Sequence, residues 1–278
     1  MLKNLLETKS FKVRLISGIV LVLILGTLVV LGYDFIFYAL LALSLIGAFE
    51  LFRALGLGWS YFSFVGYAGI IGHYMVLRFA DFKFLGLVYV GALILVLAGF
   101  VFTFPKYSLQ QVFGSFFGIF YVGVCLSFMY LLRIHPPSGA YIVWLVIFSS
   151  SVCDIFAYLT GMLFGKHKLV PKLSPKKSIE GAIGGILGSV ILSFVYGLIV
   201  QPYVEDIRPT ALIFPIICFF GAIVSQIGDL AASAIKRNTG IKDYGTIIPG
   251  HGGILDRFDS IIIVSPIMYL VTLTVGLF

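Results

Sequence analysis

Long uninterrupted apolar runs constrain this chain more than any other feature. A helix needs about 20 predominantly apolar residues to cross the hydrocarbon core of a bilayer. Nine runs of about that length follow one another, at 11–31, 34–55, 61–79, 84–104, 109–132, 140–164, 179–200, 210–235 and 258–278. The 278 residues are 60% hydrophobic and only 11% charged, and the mean hydropathy is +1.10. No soluble core of this size has so little polar sequence to cover it. The runs are continuous, not alternating over ten residues, which excludes a transmembrane barrel. The fold class read from this pattern is all-α, a polytopic integral membrane protein of about nine transmembrane helices.

The basic residues set an orientation. With nine spans, the N-terminus and every second connection share a side. That side carries Lys3, Lys9, Lys12, Arg14, Arg53, Lys106, five lysines from Lys166 to Lys177, and Lys236, Arg237, Lys242 and Arg257. Only Arg78, Lys83, Arg133 and Arg208 fall on the other side. The positive-inside rule therefore expects a cytoplasmic N-terminus, with both long polar connections, 165–178 and 236–257, on the same face. The net charge of +7 follows from these helix-end bases and calls for no nucleic acid. The basic then apolar N-terminus reads as an uncleaved first span. Leu2, Leu5 and Leu6 among lysines read equally as a short interfacial helix or a frayed end. Cys125, Cys153 and Cys218 lie inside apolar runs and read as small buried hydrophobes. Residues 1–140 are expected to form a helical scaffold, and 141–278 a catalytic region.

Polar residues inside such a chain are costly, and where they persist they tend to be functional. Three groups stand out. Asp154 lies inside the sixth run, with Tyr158 one turn later and Gly161 and Gly165 along the same strip. The connection after that run holds Lys166, His167, Lys168, Lys172, Ser174, Pro175, Lys176, Lys177, Ser178, Glu180 and Gly181. Pro175 is expected in a first helical turn with Ser174 as its N-cap. Lys176 and Lys177 beside free backbone N–H groups would then cradle an anion. The third group runs from Ser225 to Asp259 and holds four acids and four bases in 35 residues. Ser225, Asp229, Ser233 and Lys236 recur at helical spacing and share a face. Asp256 and Asp259 share another at the start of the last run. Carboxylates on two helices suit a hard cation such as Mg²⁺, which takes oxygen ligands and leaves positions for phosphate. Glycines around His251 would let backbone approach a ligand. Glu50 and Arg53 read as an intrahelical pair, and His73 and His135 as structural.

The stretch Ser233, Ile235, Lys236, Arg237, Lys242, Asp243, Gly245, Ile248, Pro249, His251, Gly252, Gly253, Ile254, Asp256, Arg257, Phe258 and Asp259 resembles the signature of the phosphatidate cytidylyltransferases, also called CDP-diacylglycerol synthases. Ser174, Pro175, Lys176, Lys177, Ser178, Glu180 and Gly181 are similar to a second motif of that family, with Ser178 in place of threonine. Asp154, Tyr158 and Gly161 resemble a third. The resemblance implies transfer of CMP from CTP to phosphatidic acid, with pyrophosphate released. It also implies an inner-membrane protein whose site faces the cytoplasm, Mg²⁺ with a possible second cation, and a homodimer. On that reading Asp229 and Asp256 bind metal, with Asp154 and Asp259 as ligands or supports. Lys176, Lys177, Lys236, Arg237 and Arg257 hold phosphates, with Lys177 and Lys236 closest to the chemistry. Ser178, Ser233, Lys242, Asp243, His251, Gly252 and Gly253 complete the substrate site. Two rivals are a CTP-dependent lipid kinase and an ion-coupled transporter, the latter expecting charges near mid-bilayer and on both sides.

Overall fold

The computed structural model describes residues 23–274 except 25, 205, 206, 208 and 251. The proposed interfacial helix, most of the run 11–31, His251 and the last four residues of the final run lie outside the described residues. Among the described residues the helices run in order α1 (Tyr33–Ala54), α2 (Tyr61–Phe79), α3 (Leu85–Thr103), α4 (Leu109–Gly118), α5 (Cys125–Ile134), α6 (Gly139–Ile147), α7 (Cys153–Phe164), α8 (Ile179–Val200), α9 (Thr210–Asn238) and α10 (Leu255–Thr274). Helical turns of π type join α4 to α5 and α6 to α7, so each pair forms one longer rod, Leu109–Ile134 and Gly139–Phe164. Among the described residues, seven helices are long and apolar enough to cross a membrane. The helix α2 has the expected bounds, but its Ser, Gly, Tyr and His content leaves it outside those seven. The expected count of nine also includes the run 11–31.

The chain divides into two units. The first comprises the N-terminal part to Ser127 together with residues 239–258. Phe37, Leu40, Leu51 and Phe52 of α1 are fully buried there. A Cβ at Gly66 or Gly118 would strike the Phe52 ring, so those glycines let α2 and α4 close onto α1. His73 is buried, as expected for a structural histidine. The Ser127 hydroxyl donates to the Val124 carbonyl, which leaves its oxygen to accept from His73 Nε2 at 2.8 Å. The Tyr89 hydroxyl then donates to Nδ1 at 2.7 Å. Every polar atom of the imidazole is thereby satisfied in an apolar surround.

The second unit holds Phe128–Asn238 and Asp259–Phe278. Its centre is the packing of α7 on α8. Gly181, Gly184, Gly185 and Gly188 turn toward Ala157, Thr160, Cys153 and Phe156, and a Cβ at any of the four would collide. Small residues at this spacing let membrane helices approach closely, so that backbone and side chains pack without a hydrophobic drive. The Ser189 hydroxyl donates to the Phe148 carbonyl at 3.0 Å, supporting the π turn just before Asp154. His135 meets the Tyr269 hydroxyl at 2.7 Å, in keeping with a structural role.

One local expectation is corrected. Pro175 is not in a helix, and Ser174 is not a cap. Residues Ser174–Ser178 form a strand, β2, antiparallel to β1 (Lys168–Val170), with Val170 opposite Ser174 and Lys168 opposite Ser178. The helix starts four residues later, where Ser178 Oγ accepts from the Gly181 N–H at 3.1 Å. A serine hydroxyl can cap either position. Ser178 wins because its strand pairing holds it extended, and Pro175 is tolerated in an edge strand that needs no N–H there.

Candidate active site

A cavity of about 340 Å³ lies in the second unit, lined by α7, the hairpin, the start of α8 and α9. α7 contributes Asp154, Tyr158 and Gly161, one helical strip as the spacing predicts. The hairpin contributes Lys176 and Lys177, and α9 contributes Gln226 and Asp229. The Lys177 ammonium pairs with Asp229 Oδ2, and each side chain is about a quarter exposed, at 27% and 24%. The hairpin brings Lys177 to α9. Asp259 is buried on α10, accepts from the Ser260 N–H at 2.8 Å, and lies within electrostatic reach of Asp229, Asp154 and Lys236.

The hairpin is held from its base. Glu180 accepts from the backbone N–H groups of Lys166 at 3.1 Å and His167 at 3.2 Å, and from His167 Nδ1 at 2.6 Å. A Cβ at Gly161 or Gly165 would crowd Ser178 Oγ, so these glycines admit the cap against α7. Tyr158, Met162 and Leu169 give the cavity an apolar flank beside its charged one. Gln226 was missed in the sequence. Its Nε2 donates to the Ala182 carbonyl at 3.0 Å, which fixes the amide at the cavity wall. Its spacing of three from Asp229 places both on one helical face, a signal available beforehand.

Lys236 and Arg237 end α9 and do not belong to the following connection. Ser233 and Lys236 are half-buried on the face shared with Asp229, while Arg237 is exposed. The other predicted residues, Lys242, Asp243, Gly252, Gly253, Asp256 and Arg257, belong to the first unit. There Asp256 Oδ2 accepts from the N–H groups of Tyr244 at 2.7 Å and Gly253 at 3.0 Å. Gly252 has φ +89°, a left-handed conformation in which a side chain would be strained. Lys242, Asp243 and Arg257 are exposed.

Glu50 and Arg53 were also underread. They share a helical face and feel each other's charge, yet both side chains bond to the loop and not to one another. Glu50 accepts from Ile254 and Leu255, and Arg53 donates to the Tyr244 carbonyl at 2.5 Å. Backbone donors at the start of α10 draw the carboxylate away from the guanidinium.

Among the described residues, no three His, Cys, Asp or Glu side chains gather as a metal cage. That arrangement suits Mg²⁺ nonetheless, because Mg²⁺ is usually held by one or two carboxylates with substrate phosphates and water. Asp154 from α7 and Asp229 from α9 are the carboxylates that line the cavity.

The chain is similar to known proteins along most of its length. Residues 12–275 match the model of the cytidylyltransferase family. The phosphatidate cytidylyltransferase of Thermotoga maritima is 39% identical over 183 residues, covering 64% of this chain and 67% of its own. That of Bacillus subtilis is 31% identical over 276 residues, 94% of this chain and 97% of its own. That of Staphylococcus saprophyticus is 34% identical over 165 residues, 59% and 60% of the two chains. Helices and match together define a nucleotidyltransferase set in a membrane. The chain belongs to the cytidylyltransferase family.

Proposed function

We propose that this protein transfers CMP from CTP to phosphatidic acid, yielding CDP-diacylglycerol and pyrophosphate. The observation that carries the reading is the cavity itself, which combines two lysines, two aspartates and an apolar flank. Such a lining suits a polyanion at one side and the glycerol end of a lipid at the other. A phosphate oxygen of phosphatidic acid attacks the α-phosphorus of CTP. The bond from that phosphorus to the α–β bridging oxygen breaks, and its electrons leave on pyrophosphate. The nucleophile is already anionic near neutral pH, so a strong general base is not required. The demand is to bring two polyanions together and stabilise the leaving group.

Lys176 and Lys177 meet that demand as phosphate ligands, with Lys236, Arg237 and Arg257 as further cations. Lys177 pairs with Asp229. An arriving phosphate would exchange that carboxylate for a phosphate oxygen. Asp229 and Asp154 would hold Mg²⁺, with Asp259 in support. Mg²⁺ bound there supplies charge neutralisation on the triphosphate. A metal role is proposed for Asp256 as well, alongside the loop bonds that its Oδ2 accepts. We further propose that the site faces the cytoplasm, because fifteen of nineteen Lys and Arg fall on one side of a nine-span arrangement.

One experiment tests reaction and orientation together. CTP labelled at the α- or γ-phosphate is added to inverted or right-side-out vesicles containing the protein and phosphatidic acid. The α label is expected in lipid, and only in inverted vesicles, because CTP does not cross the bilayer. The γ label in lipid would mark phosphorylation instead and overturn the proposed reaction. Equal incorporation in both vesicle types, with intact seals, would overturn the orientation.

A further inference from the structure

We infer that Glu50 is a positioning residue: its buried carboxylate sets the geometry of the glycine loop at 244–255 and thereby the rate of CMP transfer. The consequence for rate rests on the function proposed above, whereas the anchor stands on geometry alone. Glu50 is 1% exposed. Its Oε1 accepts from the Ile254 N–H at 3.1 Å and its Oε2 from the Leu255 N–H at 2.8 Å. These donors open α10, where helix geometry leaves N–H groups without intrahelical partners and favours negative charge.

The loop is shaped around this carboxylate. A Cβ at Gly245 or at Gly253 would collide with Glu50 Oε1. Both glycines therefore have a physical reason in the first half of the chain, some two hundred residues away. Arg53, one turn beyond Glu50, takes the Tyr244 carbonyl. Asp256 joins the same two strands of loop by accepting from Tyr244 and Gly253. α1 thus grips the loop where it enters, at Tyr244 and Gly245, and where it leaves, at Gly253 to Leu255. A buried carboxylate is expensive unless well bonded, and a helix this apolar has no need of one for its own stability. Two charge-assisted bonds offset the cost and fix the loop's position.

The test compares Glu50→Gln and Gly253→Ala with the parent in detergent. Glutamine keeps the size but sets an NH₂ against one of the two backbone donors. Alanine at 253 pushes a methyl group into the carboxylate. Both are expected to speed hydrogen exchange at residues 253–255 and leave Ile179–Val200 unchanged. Both should lower kcat by about 10- to 100-fold, as loss of groups that orient a site does, with the melting temperature nearly kept. A merely structural Glu50 would lower the melting temperature and leave kcat per folded molecule at the parent value. Parental exchange at 253–255 in both variants, or parental kcat despite faster exchange, overturns the inference. If the parent itself puts no CMP into lipid, the transfer reading fails, while the exchange comparison still decides the anchor.

Discussion

Asp229→Asn is expected to abolish CDP-lipid formation while the protein stays folded. The side chain sits about three-quarters buried at the cavity wall, paired with Lys177. Asparagine preserves its size and removes its charge. The proposed Mg²⁺ then loses a carboxylate, and Lys177 loses the partner that holds it in place before substrate arrives. Loss of a preorganised charge at a reacting phosphate costs about 10²- to 10³-fold in turnover. Steady-state assay of purified protein with CTP, phosphatidic acid and Mg²⁺ measures it, with melting and gel filtration checking the fold. Near-parental turnover would remove Asp229 from the chemistry. Lys177→Met provides a useful contrast, because it leaves the carboxylate and removes its cationic partner together with the proposed phosphate ligand.

Asp256→Asn is the second change with a large expected effect, and it separates two roles. Oδ2 of Asp256 accepts from both Tyr244 and Gly253. An asparagine carbonyl can still accept those bonds, so the loop keeps its anchor, yet the negative charge is gone. The proposed metal role predicts that turnover is lost by about 10²-fold or more, with hydrogen exchange at 244–255 little changed. A variant that exchanges and turns over like the parent would leave Asp256 as a loop anchor alone. Asp256→Ala is the less informative variant, because it removes bonds and charge at once.

The membrane helices were legible because their signal is long and strong. The bounds expected for 61–79 and 179–200 are those of α2 and α8. The helical face of Ser225, Asp229, Ser233 and Lys236 was equally readable from spacing. What the sequence hid was set by contacts distant along the chain. Lys177 meets Asp229 only because residues 168–178 fold as a hairpin, and two short strands rich in Lys and Ser carry little apolar alternation to reveal them. Ser174 before Pro175 imitates a helix start, and only pairing with β1 shows that Ser178 is the cap. Glu50 beside Arg53 imitates a surface ion pair, a local pattern that conceals a bond to residues 204 and 205 positions later. Gln226, by contrast, lay on the same face as Asp229 and was within reach of the spacing argument.

On the proposed function, the cavity between the hairpin and α9 receives the triphosphate of CTP. A structure of the protein with Mg²⁺ and a CTP analogue that cannot be cleaved between its α- and β-phosphates tests this most directly. Phosphates seated against Lys176 and Lys177, with the cation on Asp229, are the predicted result. A nucleotide bound elsewhere, with Lys177 still paired to Asp229 and Lys176 untouched, would contradict it.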